Sequence, residues 1–267
     1  MLVPKTDVEW AEMIYTQKGL LPENLAVYPT PHRSRISRSI DHTQLAPSAT
    51  ESQIDTLCDE AREYGFATVC VRLRHVSRAV QNLQETPEVG VACVVGFHEG
   101  TYPTQEKVDE AEGAVNQGAS ELDMVINYPL LRQGLYTDVF GDVLAVRKAA
   151  PSPVRLKVIL ETSQLTRDEI IAASIISCMA GADYVKTSTG FNGPGATVEN
   201  VALMRATVEL LGTGCKVKAS GGVRGVENCI AMLKAGANRI GTSAGVKIAK
   251  ELAGDVKKIE QNSEQSC

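Results

Sequence analysis

The sequence predicts an α/β protein, a (β/α)8 TIM barrel preceded by a helical extension. Three observations lead there. Short apolar runs rich in β-branched residues recur eight times, and a helical pattern follows each of them. Strands separated by helix-length crossovers must run parallel, and eight such units within residues 38–252 close most economically into a barrel. The alternative, an open doubly wound sheet, lacks the G-x-G-x-x-G turn it would carry after its first strand.

The elements follow in order. Residues 1–36 read as an appendage, with a short helix that Asp7 would cap and that runs through Tyr15, packing Trp10, Met13 and Ile14. Pro22, Pro29 and Pro31 then break regular structure. The barrel domain is expected over 37–254, with strands at 39–45, 66–72, 90–97, 121–127, 155–161, 184–189, 215–221 and 238–243. Helical patterns fill 51–64, 75–84, 104–117, 137–149, 166–180, 197–210, 225–235 and a stretch from 245. Ser48-Ala49-Thr50-Glu51 and Thr166-Arg167-Asp168-Glu169 look like helix starts, and Gly65, Gly118, Gly181 and Gly236 like helix exits. Residues 255–267 are polar and are expected to form a disordered tail.

Composition narrows the function. The 267 residues are 43% hydrophobic with a net charge of -5, enough for one large core. An acidic pI near 5.5 argues against nucleic acid as the main partner, and the basic run from His32 to Arg38 is too short to change that. Seven cysteines without a C-x-x-C pair read as buried thiols in a reducing compartment. Four scattered histidines give no metal-ligand spacing, so neither metal nor cofactor is expected. No stretch is apolar enough to span a membrane and no signal segment is visible, which points to the cytoplasm.

The chemistry concentrates on strand ends. Lys186 lies in a β-rich run that opens into Gly190, with Tyr184, Lys186 and Ser188 on one face. A lysine buried there would have a lowered pKa and offer a neutral amine, the form that attacks carbonyls. Alone it would read as a lysine paired with a carboxylate. A second lysine in the same setting, Lys218, would depress the pKa of the first. Neighbouring strands add Asp123 for proton transfer, and Lys157 and Glu161, four residues apart and so expected on one face. A purely structural ion network is the competing explanation. The Gly221-Gly222 and Gly241-to-Gly245 loops, each leading into a helix, suit a phosphate at the usual place in this fold.

Six segments together resemble the deoxyribose-phosphate aldolase family. They are Asp41-His42-Thr43, Glu121 to Asn127, Lys157 to Thr162, Gly181 to Phe191, Lys218 to Arg224 and Arg239 to Gly245. The resemblance covers about residues 38–252. It implies a barrel aldolase that reversibly cleaves 2-deoxy-D-ribose 5-phosphate into D-glyceraldehyde 3-phosphate and acetaldehyde, without a metal. It further implies that Lys186 forms a Schiff base, that Lys218 perturbs it, and that Asp123 shares in proton transfer. Gly190, Gly221, Gly222 and Ser243 match phosphate-holding positions, and Cys70 a non-essential cysteine near the site. A small phosphorylated sugar is then the partner, and barrels of this kind commonly form homo-oligomers. The chain departs from the family pattern at two places. Arg72-Leu73 stands where Asn-Pro is usual, and His98-Glu99-Gly100 where Pro-Leu-Gly is usual. No tyrosine follows Tyr184, although some members use one near the carboxyl terminus. Two other readings compete: a Schiff-base aldolase with a different aldehyde preference, and a non-catalytic barrel that binds a sugar phosphate.

Overall fold

In the computed structural model, which describes residues 2–264, eight parallel strands pair in chain order and the last closes on the first. They are β1 (Ile40–Thr43), β2 (Thr68–Val71), β3 (Gly90–Val95), β4 (Glu121–Val125), β5 (Arg155–Ile159), β6 (Tyr184–Lys186), β7 (Lys216–Ser220) and β8 (Arg239–Thr242). The eight expected strands and the helices between them are all present. Each strand stops one to three residues before the expected end, because its last residues bend out of the ladder to build the rim. The helix starts are capped by Thr50 with Gln53 and by Thr166 with Glu169, two reciprocal capping boxes. All four predicted exit glycines have positive φ, between 64° at Gly65 and 106° at Gly236.

Two apolar clusters organise the packing. The large one lies between strands and helices and takes the outward residues of the strands, among them Leu122, Leu156, Val185 and Ile240. The small one plugs the barrel mouth with Leu45, Cys70, Ala92, Val94, Phe97, Val125 and Ile159. Below that plug the barrel interior is charged. Asp41, Asp123, Lys157 and Lys218 are fully buried there, where barrels usually stack branched aliphatic side chains.

The extension is a real helix, Asp7–Gly19, but Asp7 does not cap it. Thr6 does, in a capping box with Glu9. Asp7 instead accepts a hydrogen bond from the Thr137 N–H (2.8 Å), at the start of the neighbouring helix Tyr136–Ala149. Thr6 wins because the cap must sit one residue before the first turn with extended backbone, as its ψ of 157° shows. Trp10 and Ile14 are buried, Met13 partly so, and Trp10 meets Phe140 with ring centroids 5.2 Å apart. Further on, the Tyr28 N–H donates to the Lys234 carbonyl (2.8 Å), so the segment runs down the outside of the barrel before β1. At the other end the final helix spans Gly245–Glu264 and enters the stretch expected as a disordered tail; its Lys- and Glu-rich sequence favours helix, and residues 265–267 lie outside the described residues. Six cysteines are buried free thiols, and Cys267 lies outside the described residues. Among the described residues no helix is long and apolar enough to cross a membrane.

Candidate active site

Register brings the predicted residues together. β6 pairs with β7 so that Lys186 lies beside Lys218, and β4 pairs with β5 so that Asp123 lies beside Lys157. All four side chains point into the barrel and meet at one carboxylate. Lys186 Nζ and Lys218 Nζ each donate to Asp123 Oδ2 at 2.7 Å, and Lys157 Nζ donates to Asp123 Oδ1 at 2.5 Å.

The three lysines differ in how many carboxylates hold them. Lys157 has Asp123, Glu121 (2.6 Å) and Asp41 (3.7 Å). Lys218 has Asp123 and a short contact to Asp41. Lys186 has Asp123 alone. The electrostatics follow. Burial pushes every one of these ammonium groups down, but the carboxylates around Lys157 and Lys218 outweigh it and hold both above the ordinary lysine value. At Lys186 burial prevails, helped by the Lys218 charge, and the amine ends below its ordinary value despite Asp123. Burial would raise Asp123, yet the three lysines hold it well below the usual carboxylate range. Cys70, with its sulfur 4.0 Å from Asp123 Oδ2, is pushed up to about 11 by burial and by that carboxylate, so it stays a thiol.

Only one of the three lysines reaches open space. A cavity of about 400 Å3 is lined by Lys186, Gly190, Phe191, Gly221, Gly222 and Ser243, while Lys157 and Lys218 are fully buried and do not line it. Arg224 also lines it. Its far wall is backbone laid on backbone. The Ala196 N–H donates to the Ser220 and Gly221 carbonyls, both at 3.1 Å, and a Cβ on Gly195 would stand 2.0 Å from the Gly221 oxygen. Gly221 itself has φ +82°, so neither position accepts a side chain without strain. Ser243, which lines this end of the cavity, stands just before the last helix.

Glu161 does not share a face with Lys157. The chain leaves β5 at Ile159 and Glu161 takes a left-handed conformation with φ +57°, which ends the strand alternation on which the expectation rested. Its carboxylate turns to the loop after β6 and accepts from the Thr189 N–H (3.3 Å) and hydroxyl. Burial there raises its pKa. Sequence reasoning also missed Asp41, Glu121 and Arg239 as members of the network. Arg239 donates to Asp41 at 2.5 Å and reaches Glu121 at 3.3 Å. Inward parity along β1, β4 and β8 was the signal that could have found them.

A barrel with a buried, under-compensated amine at its carboxyl rim and a glycine-lined cavity beside it has the layout of a barrel lyase. Comparison with known proteins agrees with that layout. Residues 36–251 match the family model described as DeoC/LacD family aldolase, and the chain belongs to that family. It is 62% identical over 245 residues to a deoxyribose-phosphate aldolase of Coccidioides immitis, covering 91% of each chain. A second enzyme of that name, from Halalkalibacterium halodurans, is 50% identical across 80% of this chain and 94% of its own. Among solved structures, one from Coccidioides immitis, described as a candidate deoxyribose-phosphate aldolase, superposes with a TM-score of 0.90 at 60% identity, covering 92% of this chain and 98% of that one. Another, titled a unique tetrameric structure of deoxyribose phosphate aldolase from Aeropyrum pernix, gives 0.74 at 30% identity, over 91% and 98%.

Proposed function

We propose that this aldolase reversibly cleaves 2-deoxy-D-ribose 5-phosphate to D-glyceraldehyde 3-phosphate and acetaldehyde through a Schiff base on Lys186. The observation that carries the reading is that Lys186 alone of the three lysines around Asp123 combines a lowered pKa, a single carboxylate partner and access to the cavity. Its neutral amine adds to the substrate aldehyde carbon. The carbinolamine loses its hydroxyl as water and becomes a protonated imine. Removal of the proton from the C3 hydroxyl breaks the C2–C3 bond, and the electron pair moves into the imine, leaving a neutral enamine and the phosphorylated aldehyde. Protonation of the enamine carbon and hydrolysis return acetaldehyde and the free amine. The imine is its own electron sink, so no metal takes part.

Asp123 receives and returns protons at the nitrogen with a bound water, and Lys218 keeps the resting amine deprotonated. The phosphate sits against Gly190, Gly221, Gly222 and Ser243, opposite the apolar plug that faces the acetaldehyde carbons. Residues 37–254 form the catalytic barrel and 1–36 an outer brace on it. Homo-oligomerisation and a cytoplasmic location complete the reading, the first supported by the tetrameric relative. Borohydride reduction in the presence of acetaldehyde tests it: peptide mapping should place one ethyl group on Lys186, and Lys186→Ala should carry none and lose turnover. An ethyl group on Lys218 instead would overturn the assignment.

A further inference from the structure

The rim above the cavity contains a cluster that this mechanism does not use. Phe191, on the loop after β6, is 46% exposed and lines the cavity beside Gly190. A half-exposed phenylalanine on a glycine-rich turn has little of its own to fix it. Here its ring lies flat on His98, with centroids 5.1 Å apart and planes 16° apart, and meets Phe97 edge-on at 5.2 Å and 85°. The next residue adds a polar tie, Asn192 Nδ2 donating to the His98 carbonyl at 3.1 Å. His98 is itself held, since its N–H donates to Glu99 at 3.1 Å and Tyr102 donates to the same carboxylate at 3.2 Å.

We infer that His98 is a positioning residue that tightens binding of the phosphorylated substrate by stacking Phe191 in place and, through it, the Gly190 turn. The inference rests on the substrate proposed above. His98 touches neither Lys186 nor Asp123, so its effect falls on binding and not on the imine chemistry. The loop's other attachments hold its backbone and not the Phe191 ring: the Phe191 N–H donates to Thr189 Oγ1 at 3.1 Å, and Ser163 Oγ (2.6 Å) and Gln164 Nε2 (3.1 Å) donate to the Asn192 carbonyl.

His98→Ala should raise KM for 2-deoxyribose 5-phosphate about threefold to tenfold, the range over which a stacked aromatic pair acts, with kcat changed less than about twofold. His98→Phe, which keeps the flat face and loses the titratable nitrogens, should restore KM. Turnover of unphosphorylated 2-deoxyribose should not respond to either change. If His98→Ala does not fold, Phe191→Leu must show the same KM-against-kcat split. An unchanged KM in the alanine variant, a phenylalanine variant as weak as alanine, or an equal loss on both substrates would overturn the inference. Ethyl trapping on Lys186 separates the two proposals: present without the KM split, it sinks only the role of His98; absent from the native protein, it sinks the aldolase mechanism.

Discussion

Replacing Lys218 by leucine should move the pH dependence of this enzyme upward by about two units. Both lysine nitrogens bind the same Asp123 oxygen at 2.7 Å, so they lie no more than twice that distance apart. Two unit charges at such a separation repel by about 3 kcal/mol at an effective dielectric of about 20, equivalent to about two pKa units. Removing Lys218 abolishes this repulsion and leaves Asp123 Oδ2 to Lys186 alone, and both effects favour the charged amine. The amine reacts only when neutral, so the rising limb of kcat/KM against pH must shift to higher pH. Below the new midpoint the rate should fall about tenfold per unit. The assay is a kcat/KM profile on 2-deoxyribose 5-phosphate, with ethyl trapping at each pH as a direct measure of imine formation. Lys218→Arg, which keeps the charge, should leave the limb in place. A limb that stays within about half a unit in Lys218→Leu, or that moves to lower pH, would refute the electrostatic coupling.

Four further outcomes follow from the structure. Asp41, Glu121 and Asp123 all have depressed pKa values in the fold, so the stability they contribute is present above the unfolded value near 4 and lost as the pH falls below it; urea midpoints should be level from about pH 5 and drop steeply below about pH 4. Lys157→Met, which strips the cation shared by all three, should cost about 3–5 kcal/mol in urea unfolding at neutral pH and make the drop below about pH 4 shallower, since the carboxylates are then held less far below their unfolded values; an unchanged midpoint would contradict it. Gly195→Ala must push its Cβ into the Gly221 carbonyl, so KM for the phosphorylated substrate should rise by more than about tenfold while ethyl trapping on Lys186 persists. Trp10→Ala should cost about 3–5 kcal/mol in the same unfolding assay, since the side chain is fully buried against Phe140; a loss below about 1 kcal/mol would show that the extension is not a brace.

The fold was legible because each level repeated one message. Apolar runs of strand length alternated with capped helices, and Gly65, Gly118, Gly181 and Gly236 marked exits at which the backbone does turn left-handed. What alternation could not tell was where pairing stops. Ser188 and Thr189 continue the β-rich composition of β6 yet lie beyond its ladder, and Glu161 breaks parity with Lys157 through a single positive φ. Asp7 and Thr6 are both good caps in isolation; which one serves depends on the Thr137 N–H that draws Asp7 away, 130 residues along the chain.

The choice between the lysines was the least legible part, and the reason lies in closure. Lys186 and Lys218 have similar local sequences, each a strand lysine before a glycine turn. Besides access to the cavity they differ through Asp41, which is 177 residues from Lys218 and reaches it because β8 pairs with β1. With the barrel closed, three buried carboxylates, Asp41, Glu121 and Asp123, face four cations, Lys157, Lys186, Lys218 and Arg239. Arg155 also touches Glu121, but its side chain is 56% exposed and its charge is met by water. A sealed interior tolerates an unmatched charge poorly, so the least compensated of the four gives up its proton most readily. Arginine does not, and Lys157 and Lys218 each answer to more than one carboxylate, which leaves Lys186. Its lowered pKa is therefore set by the carboxylates of the whole core as much as by repulsion from one neighbour. That is why removing Lys218, which evens the balance at three against three, should return the proton to the nucleophile.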